Sequence, residues 1–209
     1  MSDILSERTI PDIVVGRLPV YLRALQRMLQ EGRRVTSSQE LGERLGISAA
    51  QIRKDLSQFG EFGKQGTGYE IEKLAGQVQN ILKVDKVWDV IVVGAGDIGS
   101  ALGRYPGLNN RGFCVVMIFD NNPGKIGGEI DGFVVQNSAA MVDVIRAAGI
   151  QLAMIAVPAE AAQEVADQLV EAGVKAILNY APVSINVPPG VKVQYIDPVV
   201  HLQRMTYYL

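Results

Sequence analysis

Residues 90–102 read Val90-Ile-Val-Val-Gly94-Ala-Gly96-Asp-Ile-Gly99-Ser-Ala-Leu102, an apolar strand pattern that runs through a glycine turn into a helical pattern. The three glycines have the G-x-G-x-x-G spacing of a dinucleotide site. Gly94 permits the tight bend, Gly96 lets the backbone approach a pyrophosphate, and Gly99 lets the helix pack closely on the strand. The pyrophosphate would lie at the helix N-terminus, where free N–H groups favour an anion.

An acidic residue follows at the position that such a site requires. Asp120 ends the next apolar strand pattern, residues 112–120, and lies 21 positions beyond Gly99. A carboxylate there accepts hydrogen bonds from the adenosine ribose and repels a 2′-phosphate, which favours NAD(H) over NADP(H). The alternative is that Asp120 is a helix cap or turn residue before the segment 121–124.

Composition bounds the class of protein. The chain has 209 residues, 48% of them hydrophobic, which allows one large domain or two small ones. No apolar run approaches the roughly 20 residues that span a bilayer, and residues 1–8 lack a signal-peptide layout. Cys114 is the single cysteine and lies in an apolar strand pattern, so we expect an inert core thiol. We therefore expect a cytoplasmic protein with no membrane partner and no metal site.

Segment 10–32 predicts an amphipathic helix. Its apolar residues recur every three or four positions, with arginines on the opposite face. Pro19 is expected to kink the segment or to begin its main helix, and Gly32 is expected to end it. The apolar positions are Leu18, Tyr21, Leu22, Leu25, Met28 and Leu29.

Residues 35–59 predict two short helices joined by a tight turn at Gly46. Ser37 or Ser38 can cap the first helix, and Ser48 can cap the second. Helix, glycine turn and helix with a polar outer face are typical of a helix-turn-helix, whose second helix enters the major groove of DNA. The positions expected to face inward are Ile52, Leu56 and Phe59. The expected DNA-binding residues are Ser48, Gln51, Arg53, Lys54 and Ser57.

Segment 62–71 indicates a wing after the second helix. It places three glycines and one lysine between apolar residues, which predicts a two-stranded hairpin with Lys64 and Gln65 at its tip. Lysine and closely approaching glycine backbone suit a phosphate or minor-groove contact. The first 80 residues hold 11 Lys or Arg and 10 Asp or Glu, which neither requires nor excludes a nucleic acid. The alternative is a plain helical hairpin with a solvated charged face, but the combined pattern favours DNA binding.

The second part of the chain alternates strand and helix patterns, which predicts a doubly wound parallel sheet. Pro158 ends one strand at the C-terminal edge of the sheet, where ligands bind. We predict an α/β protein with a winged helix-turn-helix domain (1–80), a Rossmann-type domain (81–196) and a C-terminal helix (197–209). The expected strands are 88–93, 112–120, 133–136, 152–158, 175–179 and 191–196, and the expected helices between them are 97–105, 141–149 and 159–172.

The C-terminal helix is expected to begin at Asp197, with Pro198 at its first position. One face is apolar, so this helix must dock on its own domain or on a partner chain. Its apolar residues are Val199, Leu202, Met205 and Leu209, widened by Val200, Tyr207 and Tyr208.

The sequence favours a regulator over an enzyme. The only histidine, His201, lies in the terminal helix, and no Tyr-x-x-x-Lys or Ser-x-x-x-Lys pair follows the dinucleotide pattern. The nucleotide is therefore better interpreted as a ligand that biases DNA binding, which requires different affinities for two conformations. A small NAD-dependent oxidoreductase is the alternative from another class.

Several stretches together carry a resemblance to a known family. They are Arg17-Leu-Pro-Val-Tyr-Leu-Arg23, Gln51-Ile-Arg-Lys-Asp-Leu-Ser-Gln-Phe-Gly60, Gly63-Lys-Gln-Gly-Thr-Gly-Tyr69, Val93-Gly-Ala-Gly-Asp-Ile-Gly-Ser-Ala-Leu102, Tyr180-Ala-Pro-Val-Ser-Ile-Asn-Val-Pro189 and the helix that begins Ile196-Asp-Pro. Over essentially its whole length the chain resembles the Rex family of redox-sensing transcriptional repressors. The domain around Gly94 also resembles CoA-binding Rossmann domains, which makes a CoA-type ligand a rival to NAD(H).

The Rex resemblance implies a homodimer that binds a pseudo-palindromic operator when NADH is scarce and releases it when NADH binds. It implies that the dimer forms through the Rossmann domain and a C-terminal helix exchanged between subunits. It also implies a switch that connects Tyr105, Asp197 and Arg17, and Pro198 departs from the residue expected after Asp197. The expected cofactor-binding residues are Gly94, Ala95, Gly96, Asp97, Ile98, Gly99, Asp120, Lys125, Pro158, Tyr105 and Asp197.

Overall fold

The computed structural model describes residues 10–62 and 68–209. Contacts divide the chain into two compact units, Met1–Lys86 and Val87–Leu209. A boundary after residue 80 would cut through helix α5 (Ile71–Leu82), whose apolar face packs in the core of the first unit. No helix in the described residues is both long and apolar enough to cross a membrane.

The described part of the first unit consists of helices and one two-stranded sheet. Its helices before α5 are α1 (Asp12–Val15), α2 (Leu18–Gln30), α3 (Ser38–Leu45) and α4 (Ala49–Leu56). Pro19 lies in the first turn of α2, so it begins the main helix rather than kinking it. The predicted stripe of α2 faces the core, where Leu18, Tyr21, Leu25 and Met28 are fully buried.

Helices α3 and α4 form the predicted helix-turn-helix. The Ser37 hydroxyl accepts the N–H of Glu40 at 3.0 Å, and the Ser48 hydroxyl accepts the N–H of Gln51 at 3.2 Å. These caps satisfy N–H groups that have no partner inside each helix. Gly42 lets the turn approach α3, because a Cβ at this position would overlap the carbonyl oxygen of Ile47.

The second arm of the predicted wing pairs with a strand from an earlier segment. Strand β2 (Tyr69–Glu70) pairs antiparallel with β1 (Val35–Thr36), which precedes the helix-turn-helix. Phe62 is not in a strand, and β1 is the pairing partner of β2 within the described residues. The predicted tip, with Lys64 and Gln65, lies outside the described residues.

The second unit contains a seven-stranded sheet with the order β5-β6-β4-β3-β7-β8-β9. All its neighbouring strands pair in parallel except the edge strand β5, which pairs antiparallel with β6. The predicted α/β fold is confirmed. The strands are β3 (Trp88–Val93), β4 (Phe113–Asp120), β5 (Glu129–Ile130), β6 (Phe133–Asn137), β7 (Leu152–Ile155), β8 (Ala176–Asn179) and β9 (Lys192–Tyr195).

Strand β3 is buried on both faces, as expected for a central parallel strand. Val90 and Val92 belong to one apolar cluster, and Ile91 and Val93 belong to another that includes helices from the far side. The connecting helices are α6 (Asp97–Gly103), α7 (Met141–Ala148) and α8 (Ala159–Glu171). Helix α6 ends at Gly103, two residues before the predicted end.

The terminal helix α9 (Pro198–Thr206) begins as predicted, with the Asp197 carboxylate accepting the N–H of Val199 at 2.9 Å. None of its residues is buried. Leu202 is 60% exposed and Met205 is 63% exposed. The helix therefore does not dock on its own unit, and its apolar face is left without a cover in the single chain.

Candidate nucleotide and DNA sites

The glycine turn joins β3 to α6 and leaves open space in front of its middle glycine. Gly94 has φ +103°, and a Cβ there would overlap the carbonyl oxygen of Ala156. A Cβ at Gly99 would overlap the carbonyl oxygen of Gly94. A Cβ at Gly96, in contrast, would meet no protein atom within 4 Å. The first and third glycines are thus required by packing, and the second faces open space, as the middle glycine of a dinucleotide turn does.

Asp120, at the carboxyl end of β4, closes the other side of this turn and is only 7% exposed. Its Oδ2 accepts the N–H of Ala95 at 2.7 Å and a hydrogen bond from Nζ of Lys125 at 3.2 Å. Its Oδ1 accepts the N–H of Asn122 at 2.8 Å. Burial alone would raise the pKa of Asp120, but these three donors outweigh it and lower the pKa below its ordinary value. The carboxylate is therefore charged at neutral pH.

A cleft of about 550 Å³ opens at the carboxyl ends of β3, β4 and β7. Several residues that line the cleft were not among the predicted site residues. Their position directly after the ends of parallel strands could have identified them, because ligands bind at that edge of the sheet. The predicted residues that line the cleft are Gly94, Gly96, Asp97, Ile98, Asp120, Lys125 and Pro158. The unpredicted ones include Asn121, Asn122, Ser138, Ala156 and Val157.

Four predicted cofactor residues do not line this cleft. Ala95 donates its N–H to Asp120, and Gly99 is buried beneath the turn. Tyr105 is half-exposed beyond the end of α6, and Asp197 caps α9. No hydrogen bond joins Tyr105 to Asp197 within the described ranges. Their role in a switch stays a prediction.

Helix α4 presents Arg53, Lys54 and Ser57 to solvent, as expected of a DNA-reading helix. Arg53 also donates to the Ser38 hydroxyl at 2.9 Å. The expectation that Gln51 faces outward needs correction, because its side chain is half-buried and donates to Oδ1 of Asp55 at 2.7 Å.

The opposite face of α4 carries a buried ionic cluster made of Arg17, Tyr21, Gln51 and Asp55, which we call the Asp55 cluster. Asp55 is fully buried and accepts Nε of Arg17 at 2.5 Å, Nη2 of Arg17 at 2.7 Å and the Tyr21 hydroxyl at 2.6 Å. Burial would raise the pKa of Asp55, but the donors of Arg17, Tyr21 and Gln51 lower it overall. Burial, and then the bond to Asp55, raises the pKa of Tyr21 to about 12.

The sequence placed Arg17 only in the switch that the family resemblance implies, and Asp55 was not named as a candidate residue. The signal was present, since Asp55 falls on the same helical face as Ile52, Leu56 and Phe59. An acid among inward-facing apolar positions requires a buried partner. Within the described residues, no group of three His, Cys, Asp or Glu is placed to hold a metal ion. Cys114 is half-buried rather than deep in the core.

Two family models match the chain. Residues 9–57 match a model described as "Putative DNA-binding protein N-terminus", and residues 85–183 match one described as "CoA binding domain". The first contains the helix-turn-helix with the Asp55 cluster, and the second contains the glycine turn with Asp120. The two matches therefore fall on the two units that the contacts define.

Comparison with whole proteins extends the similarity over nearly the full chain. The redox-sensing transcriptional repressor Rex of Roseiflexus sp. (strain RS-1) is 56% identical over 199 residues, which cover 95% of this chain and 90% of the relative. Redox-sensing transcriptional repressor Rex 1 of Thermotoga maritima is 46% identical over 199 residues, 95% of each chain.

Solved structures give the same result. The crystal structure of RSP in complex with β-NAD⁺ and operator DNA is 36% identical, with a TM-score of 0.92, and covers 97% of this chain and 93% of that one. The crystal structure of RSP in complex with β-NADH is 34% identical, with a TM-score of 0.85, and covers 99% of this chain and 95% of that one. The expectation of a regulator rather than an enzyme is confirmed, and the chain belongs to the Rex family of redox-sensing transcriptional repressors.

Proposed function

We propose that this protein represses transcription by binding operator DNA through α4 and leaves the DNA when NADH occupies the cleft. The observation that carries the proposal is the Asp120 carboxylate beside the open space at Gly96, in a chain that also holds an exposed DNA-reading helix. The reduced nicotinamide is neutral and the oxidised one is positively charged, so NADH and NAD⁺ can have different affinities for the two conformations.

In this proposal the cleft binds the nucleotide without transforming it. The backbone around Gly96 takes the pyrophosphate, and Asp120 accepts the ribose hydroxyls. Among the described lining residues there is no histidine or tyrosine, and the lysine, Lys125, is ion-paired with Asp120. The described lining thus has no histidine, no tyrosine and no lysine outside an ion pair, three of the groups that most often transfer protons in catalysis, which supports a sensor over an oxidoreductase.

On the DNA side, the polar face of α4 would lie in the major groove. Arg53 and Lys54 would reach base edges or phosphates, with Ser48 and Ser57 at the two ends of the helix. Lys64 and Gln65 of the wing would contact the minor groove or the backbone.

We also propose a cytoplasmic homodimer that binds a pseudo-palindromic operator. A two-fold dimer matches two half-sites related by the same symmetry. The uncovered apolar face of α9, which includes Leu202 and Met205, supports docking of this helix on a partner subunit together with contacts of the Rossmann domain.

A CoA-type ligand is the second candidate, because residues 85–183 match the "CoA binding domain" model. Both ligands carry an adenosine and a pyrophosphate, so the glycine turn alone does not separate them. CoA has a 3′-phosphate on its ribose, and the negative charge of Asp120 disfavours a second negative group nearby.

One titration tests the proposal. An operator selected by this protein from a random-sequence duplex pool is labelled, and NADH, NAD⁺ and CoA are added in turn to the complex at fixed salt. We expect NADH to release the DNA at concentrations where NAD⁺ and CoA do not. Retention of the complex at saturating NADH contradicts the proposal, and release by CoA alone supports the second candidate. Steady-state turnover of NADH with added substrates would support the oxidoreductase alternative.

A further inference from the structure

The Asp55 cluster joins two helices that differ in their expected roles. Asp55 belongs to α4, the helix proposed to read DNA, whereas Arg17 directly precedes α2 and Tyr21 lies in the first turns of α2. Asp55 is 0% exposed, and the Arg17 side chain is 23% exposed. Within this unit, α4 is therefore tied to α2 through a carboxylate buried from water.

A buried ion pair is a poor way to gain stability, because desolvation of the two charges cancels much of their attraction. An apolar residue at position 55 would pack the helix at a similar or lower cost in free energy. The carboxylate instead fixes the orientation of α4 relative to α2. Two N–H groups of one planar guanidinium bind its two oxygens, with the Tyr21 hydroxyl on Oδ2 and the Gln51 amide on Oδ1. Such a bidentate arrangement is satisfied in one relative orientation only.

The side chains on the outer face of α4 depend on that orientation. Arg53 and Lys54 directly precede Asp55, so a rotation of α4 about its axis turns them away from a groove by the same angle. We infer that Asp55 is a positioning residue for operator recognition, which fixes the rotation of α4 through Arg17 and Tyr21. This inference rests on the proposed function in one respect, namely that α4 reads the operator.

A consequence concerns Arg17. A guanidinium has five N–H donors, and Asp55 takes only Nε and one at Nη2. The partly exposed side chain can therefore meet a second acceptor while it still holds Asp55. Loss of the Arg17–Asp55 pair would free the rotation of α4, so a substitution at either residue tests the inference.

Removing the charge of Asp55 has opposite expected effects on DNA affinity under electrostatics alone and under the positioning role. Asp55→Asn removes a negative charge from a DNA-binding unit, which by electrostatics alone tightens binding to phosphates. The positioning role predicts the opposite, a loss of operator affinity of about tenfold or more. The neutral amide of asparagine has one acceptor oxygen and cannot form the bidentate pair with the Arg17 guanidinium. Glu72→Gln is the matched control, since it removes the same charge from an exposed position on α5.

The measurement is fluorescence anisotropy on the full chain without nucleotide, with the selected operator and a scrambled duplex. In Asp55→Asn we expect the preference for operator over scrambled duplex to fall, while the salt dependence and scrambled-duplex affinity stay near those of the control. A merely destabilised domain loses both affinities equally and keeps the preference. Arg17→Gln combined with Asp55→Asn should be no worse than Asp55→Asn alone, because the two residues act as one unit.

An unchanged preference in folded Asp55→Asn protein overturns the inference. If that variant does not fold, as judged by thermal unfolding, Arg17→Lys replaces it. Lysine keeps the charge but cannot form the bidentate pair, so a preference equal to wild type then overturns the inference. A wild-type protein with no preference for any duplex overturns the proposed DNA reading itself, and this inference with it.

Discussion

Asp120 has a structural contact and a proposed ribose-binding role, and the two place different demands on a substitution. Its carboxylate holds the N–H of Ala95 in the glycine turn, and its charge faces the position expected for the ribose. Lys125 lies 3.2 Å from it and is partly exposed in the same cleft. A change that removes the charge but keeps an acceptor therefore separates the two functions.

Asp120→Asn should shift the nucleotide preference from NADH towards NADPH. The amide oxygen can still accept the N–H of Ala95, while the N–H of Asn122 loses its acceptor. The ion pair with Lys125 is also lost, so the ammonium group can meet a 2′-phosphate. We expect the NADPH-to-NADH affinity ratio to rise about tenfold, which corresponds to about 1.4 kcal/mol. Fluorescence titration of both nucleotides measures it. Adding Lys125→Met should abolish the gain, and an unchanged ratio in Asp120→Asn would remove Asp120 from the ribose position.

Because of Tyr21, the free energy of unfolding of the first unit should decrease at alkaline pH. Its pKa is raised to about 12 in the folded chain, above the ordinary value near 10, so the folded state retains its proton longer. The stabilisation is complete below about pH 10 and is lost as pH rises through 12. Denaturant unfolding at pH 8 to 11 should show a decline that Tyr21→Phe reduces. Equal pH profiles for the two proteins would contradict the shift.

The glycine turn offers a matched pair of substitutions within one element. Gly96→Ala adds a Cβ in open space at an ordinary φ of −81°, so it should leave thermal stability nearly unchanged and weaken NADH binding strongly. Gly99→Ala places its Cβ against the carbonyl oxygen of Gly94 and should destabilise the second unit by about 1–3 kcal/mol. Calorimetry of both variants, with NADH titration, measures the contrast. Equal losses of stability would mean that the space at Gly96 is not free.

Single substitutions of the basic residues of α4 should reveal whether each residue contacts a base or a phosphate of the operator. A base contact at Arg53 or Lys54 costs about 1–3 kcal/mol on truncation to alanine and lowers the operator preference. A phosphate contact weakens all sequences alike and reduces the salt slope by about one. Anisotropy at several salt concentrations distinguishes them, with NADH affinity as the control. Unchanged DNA binding in both variants would exclude this face of α4 from the interface.

At the scale of the whole molecule, we expect the apolar face of α9 to determine the oligomeric state. Leu202→Asp places a charge in the apolar face, and we expect it to convert a dimer to monomers and to reduce operator affinity, because two half-sites are then no longer bound together. Each buried leucine contributes about 1.5–3 kcal/mol to such an interface. Light scattering after size exclusion measures the mass. Gln203→Asp adds the same charge beside that face and is the control, and a dimer that survives Leu202→Asp would show that α9 does not hold it.

Prediction from sequence succeeded where a pattern is local. The Ser37 and Ser48 caps, the end of β4 at Asp120 and the cap at Asp197 each depend on a few neighbouring residues. It failed for Gln51, which was counted with the exposed polar face of α4, because the spacing does not show that its amide turns to donate to Asp55 one turn later.

The sequence by itself determined the parallel α/β sheet, the glycine turn with its acid and the helix-turn-helix, because residue spacing and backbone constraints specify each of them within a short segment. Only the tertiary structure decided that β2 pairs with β1, that α5 belongs to the first unit and that Asp55 binds Arg17, 38 positions away. These contacts join distant segments, and the local pattern of either segment does not specify its partner. The glycine turn can thus be recognised in the sequence, whereas the partner of the buried Asp55 carboxylate is seen only once α2 and α4 pack together.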